Sequence, residues 1–274
     1  MQLAIQGEPG SFSHEAALRL VPEATILPCA FSTEVFRRLT DGDVEAAVIP
    51  IENSLAGSVV EHYDLLLAHD VGVEQETLLG IHHNLIVVPG TKLERIRRVY
   101  SHPVALAQCR QFFEKHQNIE PVPYYDTAGS VKQLMELRDR SFAAIASDRA
   151  AAYYGAEVLR PDLEDNAENY TRFFLIRRRG EVQTVPDADK VSLAFRVENR
   201  PGTLVGALHA FAHQGINLTK IESRPVHGRP WQYVFYTDYQ LSTPESADRA
   251  LEALAKHCSM VKELGRYKAG TIEK

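Results

Sequence analysis

The sequence is poor in cysteine, carries no excess of positive charge and has no long apolar run. Its three cysteines, Cys29, Cys109 and Cys258, are far apart and lack CxxC spacing, which argues against a disulfide framework and against a zinc site. The formal net charge is −6. A general role in binding nucleic acid is therefore disfavoured, because it needs a basic surface that displaces counterions from phosphates.

Segments that direct or anchor a protein to membranes are also missing. The first residues lack the basic start and apolar run of a signal peptide, and no apolar stretch is long enough to span a bilayer. Together with the scattered cysteines, this predicts a protein of the reducing cytoplasm.

Several common catalytic motifs are absent as well. The chain has no HExxH and no GxSxG, which removes the most frequent zinc-protease and α/β-hydrolase signals. His82 and His83 are adjacent, so on a strand their side chains point to opposite faces and cannot share a metal ion. Neither histidine is therefore interpreted as a metal ligand.

The sequence contains enough hydrophobic residues to form the cores of two ordinary domains. It has 274 residues, of which 45% are hydrophobic and 24% charged. A chain of this length exceeds one average domain, and its composition is that of a globular protein. Two domains are expected.

Short apolar runs alternate with helical patterns from the first residue, which is typical of α/β folds. Apolar runs predict strands at residues 3–5, 26–27, 46–49, 85–88, 99–101, 122–125, 142–146 and 173–176. Helical spacing recurs at Ala105, Leu106, Cys109, Phe112 and Phe113, with Pro103 suited to a first turn. We expect one helix there, with Cys109 in the core.

A polar stretch at residues 177–190, with Gly180 and Pro186, has no sustained period and is the best candidate for a linker. Beyond it, apolar patterns predict the order strand, helix, strand, strand, helix, strand. That βαββαβ order is ferredoxin-like.

Four loops lie where α/β sheets place ligand contacts, after strands and at helix starts. They are residues 7–13, 49–54, 101–103 and 126–130. The first offers free N–H groups and the Ser11 and Ser13 hydroxyls to an anion, but an ordinary capped turn is the simpler interpretation. At 49–54, Asn53 and Ser54 either face a cleft or build a turn, and the sequence alone gives these interpretations equal weight.

A fifth polar cluster, residues 169–173, precedes an apolar strand. Taken by itself it is a strand entrance with a solvated arginine rather than a catalytic site.

Taken together, ordered segments of the chain resemble the prephenate dehydratase family. They are residues 7–13, 50–54, Ser101-His102-Pro103 with Gln108-Cys109, Asp126-Thr127-Ala128, residues 144–147 and Thr171-Arg172-Phe173. The C-terminal part resembles the ACT domain of that family through residues 199–205 and 215–225. Departures are small: Thr203 stands where the family often has alanine, Ala156 where leucine is common, and Ser130 replaces another small residue.

The resemblance implies an α/β fold with a two-lobed catalytic domain like a periplasmic binding protein, followed by a ferredoxin-like βαββαβ ACT domain. The catalytic domain would span residues 1–179, with one lobe at about 1–76 and 166–179 and the other at about 77–165. Residues 180–190 would be the linker and 191–274 the ACT domain. The substrate would lie in the cleft between the lobes.

By the same resemblance the activity is a decarboxylating dehydration in L-phenylalanine biosynthesis, which converts prephenate to phenylpyruvate. No metal and no organic cofactor are implied. Thr171 would donate a hydrogen bond or proton to the departing hydroxyl, and Arg172 and backbone N–H groups near Ser11, Asn53 and Thr127 would hold the carboxylates. The substrate-binding residues implied are Ser11, Asn53, Ser54, Ser101, Gln108, Thr127, Ser147, Asn169, Arg172 and Phe173.

The ACT resemblance implies feedback inhibition by L-phenylalanine, bound between paired ACT domains of a homodimer or homotetramer. The effector-binding residues implied are Asn199, Gly202, Thr203, Leu204, Val205, Glu222, Ser223 and Arg224. Two alternatives stay open. One is an arogenate dehydratase, whose substrate carries an amino group in place of the keto oxygen, and the other is a noncatalytic amino-acid sensor with the same fold.

Overall fold

A computed structural model describes residues 1–226, 228–241 and 243–272 of the chain. They pack into two compact units. Residues 1–63 and 77–175, with Thr271 and Ile272, form the first unit, and residues 64–76 and 176–270 form the second. None of the described helices is both long enough and apolar enough to cross a membrane.

Strands and helices alternate along most of the chain, as expected for an α/β protein. The strands are β1 (Gln2–Gln6), β2 (Thr25–Cys29), β3 (Ala46–Asn53), β4 (Gly57–Ser58), β5 (Val71–Gly80), β6 (Asn84–Val87), β7 (Arg98–Ser101), β8 (Glu120–Pro123), β9 (Phe142–Ala146), β10 (Glu157–Arg160), β11 (Tyr170–Arg178), β12 (Lys190–Arg196), β13 (Leu218–Pro225), β14 (Tyr233–Gln240) and β15 (Met260–Tyr267). The helices are α1 (Phe12–Leu20), α2 (Ser32–Asp41), α3 (Val60–Ala68), α4 (Pro103–Ala107), α5 (Arg110–Lys115), α6 (Thr127–Leu137), α7 (Asp148–Tyr154), α8 (Thr203–Ala212) and α9 (Pro244–Ala255).

The first sheet has the strand order β2-β1-β3-β11-β5, with β4 beside β3. Strand β1 runs parallel to both β2 and β3, so that Leu3 lies opposite Ile26 on one side and Ala46 on the other. Parallel strands covered on both faces are apolar throughout, which explains why these strands were readable from the sequence.

A second sheet in the first unit has the order β10-β6-β9-β7-β8, and β7 runs parallel to β8 and β9. Its core contains Cys109, which is fully buried as predicted, together with Phe112, Val99 and Ile145. Each sheet therefore has its own hydrophobic core, and the two-lobed form expected of the catalytic part is confirmed.

Strand β5 was not predicted, because acidic residues interrupt its apolar pattern. Glu74 and Glu76 are 3% and 7% exposed. Both acids belong to the second unit, and each pairs with a cation of that same unit, Glu74 with Arg177 at 2.8 Å and Glu76 with Lys190 at 3.0 Å. The partners make burial of the carboxylates tolerable, but residue-by-residue hydropathy does not show them.

The helix expected across residues 103–113 is wrong in one respect, because the structure divides it into α4 and α5. The Gln108 carbonyl accepts a hydrogen bond from Asp165 N at 2.7 Å. The Asp165 carboxylate in turn accepts from Arg110 N and Gln111 N at 2.9 and 3.0 Å and caps the start of α5. A distant acidic residue thus interrupts the helix at Gln108.

The second unit contains a four-stranded sheet of order β13-β14-β12-β15, in which β12 is antiparallel to both β14 and β15. Helices α8 and α9 supply Phe211, Ala250 and Leu254 to a core shared with Val191 and Tyr239. The element order from β12 to β15 is βαββαβ, so the ferredoxin-like prediction is confirmed.

Candidate active site

A cavity of about 420 Å³ lies in the first unit, bounded by ends of strands and starts of helices. Its lining residues are Gln6, Ser11, Phe12, Ser13, Pro50, Asn53, Ala56, Gly57, Ser58, Val59, Ile81, His83, His102, Val104, Ala105, Gln108, Asp126, Thr127, Thr171 and Phe173. Among these described residues there is no lysine or arginine, and Asp126 carries the only carboxyl group. An anionic ligand must therefore be held by dipoles and hydrogen-bond donors.

Helix N-termini supply such donors at two sides of the cavity. Ser11 caps α1 by accepting from His14 N at 3.3 Å, and Asp126 caps α6 by accepting from Gly129 N at 2.6 Å. The unpaired N–H groups of a first helical turn and the helix dipole both favour negative charge. These loops are the ones the sequence placed near an anion.

The orientation of the Asn53 amide determines the hydrogen-bond directions in a buried network at this cavity. Its Oδ1 accepts from the backbone N–H groups of Leu55 and Ala56 at 3.0 and 2.8 Å. Backbone N–H groups can only donate, so this contact decides which end of the amide is the oxygen. Asn53 Nδ2 therefore faces β11, where it donates to Asn169 Oδ1 at 2.7 Å and to Thr171 Oγ1 at 2.9 Å.

Thr171 lines the cavity on β11 and is 9% exposed. Because Asn53 Nδ2 donates to its oxygen, the Thr171 hydroxyl is an acceptor in that contact and keeps its own proton for another partner. The hydroxyl is thus prepared to donate into the cavity.

Gln108 joins the network from the break between α4 and α5. Its Nε2 donates to Asn53 Oδ1 at 3.4 Å, and its Oε1 accepts from Asn169 Nδ2 at 3.1 Å. The predicted residues Asn53, Gln108, Asn169 and Thr171, which lie up to 118 positions apart in the chain, are therefore brought together.

His83 also belongs to this network, although the sequence gave it no role. It lines the cavity and is 2% exposed, and its Nε2 lies 2.8 Å from Gln108 Oε1. Burial lowers the pKa of the imidazole, and the hydrogen bond to Gln108 only partly offsets this. The two histidines lie between β5 and β6 rather than on a strand, so the alternation argument does not apply to them, and the sequence held no signal for the burial of His83.

Six of the predicted site residues line the cavity directly: Ser11, Asn53, Gln108, Thr127, Thr171 and Phe173. Asn169 is fully buried behind them in the network.

Three predicted serines brace the loops instead of lining the cavity. Ser101 Oγ donates to Ile145 O at 2.6 Å and is fully buried. Ser147 Oγ donates to Gly10 O at 2.8 Å and caps α7, while Ser54 Oγ accepts from Tyr170 N at 2.9 Å. The three hydroxyls therefore form hydrogen bonds with backbone groups, and their role in substrate binding stays a prediction.

Arg172 is not brought to the cavity either. Neighbouring residues of a strand point to opposite faces, and here Thr171 and Phe173 are the ones that line the cavity. The Arg172 guanidinium lies 3.7 Å from Glu52 Oε2 and 4.6 Å above the Phe174 ring, and the residue is 7% exposed. Arg172 therefore does not line the cavity in this structure, because an ion pair with the partly exposed Glu52 and a contact with the Phe174 ring hold the guanidinium on the other face of β11.

The predicted effector residues all lie in the second unit. Asn199 Nδ2 donates to Trp231 O at 3.2 Å, Gly202 has φ +83° at the start of α8, and the Thr203 hydroxyl donates to Glu198 O. Leu204 and Val205 follow in the first turn of α8, with Val205 exposed.

The remaining effector residues, Glu222, Ser223 and Arg224, lie on β13 at one edge of the sheet. Arg224 pairs with Asp64 at 2.8 Å and Glu222 with Lys220 at 3.2 Å.

One group of side chains in the described part of the chain has metal-ligand spacing. His82, Asp162 and Glu164 hold their ligand atoms within 4.8 Å of one another. His82 Nδ1 already forms a hydrogen bond with Glu164 Oε1 at 2.9 Å, and His82 and Asp162 are both exposed. A histidine–carboxylate hydrogen bond accounts for this arrangement.

The chain thus combines two parts: an α/β domain whose cavity has no lysine or arginine among its described lining residues, and a ferredoxin-like domain. Family models match the chain over residues 3–181 for prephenate dehydratase and over residues 191–257 for the ACT domain. The chain belongs to the prephenate dehydratase family.

Relatives and solved structures match this chain over almost its whole length. Arogenate dehydratase/prephenate dehydratase 2, chloroplastic, of Arabidopsis thaliana is 37% identical over 281 residues, covering 99% of this chain and 74% of the relative. A prephenate dehydratase from Arthrobacter aurescens in complex with L-Phe has a TM-score of 0.89 at 34% identity, covering 98% of this chain and 90% of that one. GqqA, described as a novel type of quorum quenching acylase, has a TM-score of 0.88 at 34% identity, covering 98% of both chains.

The resemblance stated from the sequence is thereby confirmed, both for the dehydratase and for the ACT domain. So are the enzyme class, a decarboxylating dehydratase, and the link to phenylalanine biosynthesis.

Proposed function

We propose that this chain removes water and carbon dioxide from prephenate to give phenylpyruvate. The observation that carries the proposal is the Thr171 hydroxyl, which lines the cavity while its oxygen accepts from Asn53 Nδ2 at 2.9 Å. The Thr171 hydroxyl therefore keeps its proton to donate to a departing hydroxyl group. We assign the catalytic domain to residues 1–179, the linker to 180–190 and the ACT domain to 191–274, in accord with the family matches.

Conversion of prephenate to phenylpyruvate requires little from the protein beyond such a hydrogen-bond donor. The C–C bond to the ring carboxylate breaks, its electron pair enters the ring as carbon dioxide leaves, and the C–O bond to the ring hydroxyl breaks at the opposite carbon. One proton is consumed, so hydroxide leaves as water. Aromatisation provides much of the driving force, and a positioned hydroxyl stabilises the charge that develops on the oxygen.

Binding of the two substrate carboxylates is assigned to the N-terminal turns of α1 and α6. Ser11 and Thr127 line the cavity at the starts of these helices. Their backbone N–H groups and the helix dipoles replace the arginine that the sequence suggested.

The test is incubation of purified protein with prephenate and measurement of phenylpyruvate. Formation of phenylpyruvate by the wild-type chain, with loss in Thr171→Val, is the expected result. Binding without turnover would support the noncatalytic sensor instead, and would contradict the proposal.

Arogenate is the second candidate substrate, and one feature of the cavity favours it. Asp126 offers a carboxyl group at the lining, which is a partner for the ammonium group that arogenate has and prephenate lacks. The relative from Arabidopsis thaliana is named for both activities. A comparison of kcat/KM for the two substrates decides between them. Asp126→Asn should lower kcat/KM for arogenate more than for prephenate.

The acylase description of GqqA is not favoured here. Acyl transfer by Thr171 would need a base at its hydroxyl. Among the described residues, the hydrogen-bond partner of Thr171 Oγ1 is the Asn53 amide, which is not basic.

We further propose that L-phenylalanine inhibits the enzyme by binding between ACT domains of two chains, at Asn199, at residues 202–205 and at residues 222–224. The Arthrobacter aurescens structure is a complex with L-Phe. The second unit also exposes apolar side chains, Val205, Ile221 and Trp231, that pairing of two chains would cover.

Gly202 offers a direct test of the effector site. Its φ of +83° disfavours a side chain, so Gly202→Ala should weaken L-phenylalanine binding in calorimetry and leave basal turnover unchanged. Gly215→Ala is a matched control, because Gly215 has φ +66° at the other end of α8 with open space around it. Equal L-phenylalanine affinity in the wild type and both variants would contradict the site.

A homodimer or homotetramer and a cytoplasmic location complete the proposal. Cys29, Cys109 and Cys258 are free thiols, which suits a reducing compartment. Light scattering after size-exclusion chromatography, with and without L-phenylalanine, measures the assembly.

A further inference from the structure

His83 is held in place through both of its backbone polar groups. Its N–H donates to Glu164 Oε2 at 2.8 Å, and its carbonyl accepts from Leu163 N at 2.7 Å. The Phe12 ring lies edge-on to the imidazole, with ring centres 5.9 Å apart. A ring fixed in this way at a cavity wall is able to orient the groups that it touches.

The direction of each hydrogen bond in the network follows from Asn53. Because Asn53 Oδ1 accepts from two backbone N–H groups, the Gln108 nitrogen is the atom that faces it, and Gln108 Oε1 faces the other way. Asn169 Nδ2 donates to that oxygen. An amide oxygen only accepts, so the proton between His83 and Gln108 lies on His83 Nε2.

His83 Nδ1 is then the unprotonated nitrogen of a neutral ring. It is buried, and it has no hydrogen-bond partner among the described residues. A protonated ring would bury an N–H donor there without an acceptor, which is costly. The lowered pKa of His83 agrees with this neutral form.

We propose that His83, as a neutral imidazole protonated on Nε2, is a positioning residue that directs the Thr171 proton into the cavity. Three donors form a series that ends at Thr171: His83 Nε2 to Gln108, Gln108 Nε2 to Asn53, and Asn53 Nδ2 to Thr171. Asn169 forms a side branch, which accepts from Asn53 Nδ2 and donates to Gln108 Oε1. Hydrogen bonds aligned in series polarise one another, so each strengthens the next. The inference rests on the proposed dehydratase function, because Thr171 is where its effect is measured.

His83 and Asn169 together occupy both acceptor sites of Gln108 Oε1. Without the histidine donor, rotation of the Gln108 amide is less restrained, and the rotated amide would set its oxygen against Asn53 Oδ1. The network would then hold Thr171 less firmly.

Three variants separate this role from simple packing. His83→Gln places an amide N–H close to the position of Nε2, whereas His83→Asn carries the same group one methylene shorter and does not reach Gln108. We expect His83→Asn and His83→Leu to lower kcat roughly ten- to hundredfold, as small misplacements of reacting groups do, with little change in KM. His83→Gln should restore most of kcat. Equal loss in the glutamine and asparagine variants would overturn the proposal.

A double-mutant cycle tests whether the effect passes through Thr171. His83→Asn should cost little further activity in a Thr171→Val background but its full effect in Thr171→Ser, because only the serine keeps a hydroxyl to orient. Additive losses in both backgrounds would show a role in packing and would contradict the chain of donors.

The tautomer itself is measured on the wild-type protein, and this measurement does not require His83→Asn or His83→Leu to fold. Long-range ¹H–¹⁵N spectra of histidine-labelled protein should show one protonated and one unprotonated nitrogen for His83, with the proton on Nε2. The signal is assigned by its loss in His83→Gln. A charged ring, or a proton on Nδ1, would overturn the inference, whereas absence of turnover with both substrates would contradict the proposed function and leave the tautomer result standing.

Discussion

The cavity of the first unit and strand β5 in the second unit bury polar groups in different ways. Around the cavity of the first unit, the buried groups are amides, an imidazole and a hydroxyl, joined in a network without an ion pair among the five residues His83, Gln108, Asn53, Asn169 and Thr171. In the second unit the buried polar groups include carboxylates paired with cations. Glu74 binds Arg177, and Glu76 binds Lys190.

The difference follows from what each region has to do. In a buried ion pair the two charges neutralise each other, and here backbone N–H groups of Gln183 and Gly270 donate to the same carboxylates, so these pairs fix structure. A network of neutral amides has defined donor directions and can leave one donor unused, and in this cavity that donor is the Thr171 hydroxyl. Breaking the amide network at the cavity should therefore lower turnover, and breaking an ion pair of the second unit should lower stability.

The largest expected effect is at Thr171. Thr171→Val removes the free donor while keeping the shape of the side chain, and kcat should fall about 100- to 1,000-fold, the usual cost of losing a donor to developing charge. Thr171→Ser should retain appreciable turnover. Initial rates of phenylpyruvate formation measure both, and thermal unfolding checks that the valine variant folds. Similar rates in the wild type and both variants would remove Thr171 from the mechanism.

Asn53→Asp places a charge in the neutral network. The carboxylate still accepts from Leu55 N and Ala56 N, but it has no N–H for Thr171, so the Thr171 hydroxyl must donate to it and turn away from the cavity. We expect kcat to fall about 100-fold, and KM to rise because the substrate is a dianion. Asn53→Gln keeps an amide and is the control for charge. Loss of kcat in the glutamine variant as large as in the aspartate variant would point to geometry rather than to hydrogen-bond direction.

Glu76→Gln tests the second unit. The Lys190 ammonium would stay largely buried without its counter-charge, and unfolding should become easier by about 3 kcal/mol, the cost of removing one partner of a buried pair. Chemical denaturation measures this, and kcat per folded molecule should be unchanged. Glu76→Met combined with Lys190→Met should recover most of the stability. A drop in kcat with unchanged stability would reverse the comparison between the units.

The smallest expected effect is the pH dependence that Asp126 contributes. Burial raises the pKa of Asp126 above its ordinary value, and this outweighs the hydrogen bond from Gly129 N. The folded state therefore holds a proton that the unfolded chain has released, so stability falls as pH rises from the ordinary pKa through the raised one. Asp126→Asn keeps a capping side chain and should flatten this slope while changing stability by no more than about 1 kcal/mol.

Asp139 supplies the opposite case as a control. Hydrogen bonds from Ser141 lower its pKa, so its stabilisation is present above the ordinary value and is lost as pH falls. Asp139→Asn should flatten a slope of the opposite sign. Denaturation series between acid and neutral pH measure both slopes, and an unaltered slope in Asp126→Asn would contradict the assignment.

Much of the fold was readable because its signals are local. Strands β1, β3 and β11 each contain a short continuous apolar run, and the βαββαβ order after residue 190 follows from alternating periods. Where a distant residue decided the local structure, prediction failed. Strand β5 depends on Arg177 and Lys190 to neutralise its buried acids, and the break at Gln108 depends on Asp165.

The site shows the same division. Asn53, Gln108 and Thr171 were named through resemblance, whereas periodicity gave the cluster around Thr171 no meaning. Arg172 was placed at the substrate because its type suits a carboxylate, but alternation along β11 turns it toward Glu52 and Phe174. His83 was passed over because its role consists of a contact with Gln108, 25 positions away.

The sequence by itself determined the class of fold, the order of elements and the family, since these depend on patterns repeated along neighbouring residues. The tertiary structure decided which polar groups meet, which way each amide points and which hydroxyl keeps a proton to give away. Hydrogen-bond direction is a property of a closed set of partners, and those partners become neighbours only when the chain folds.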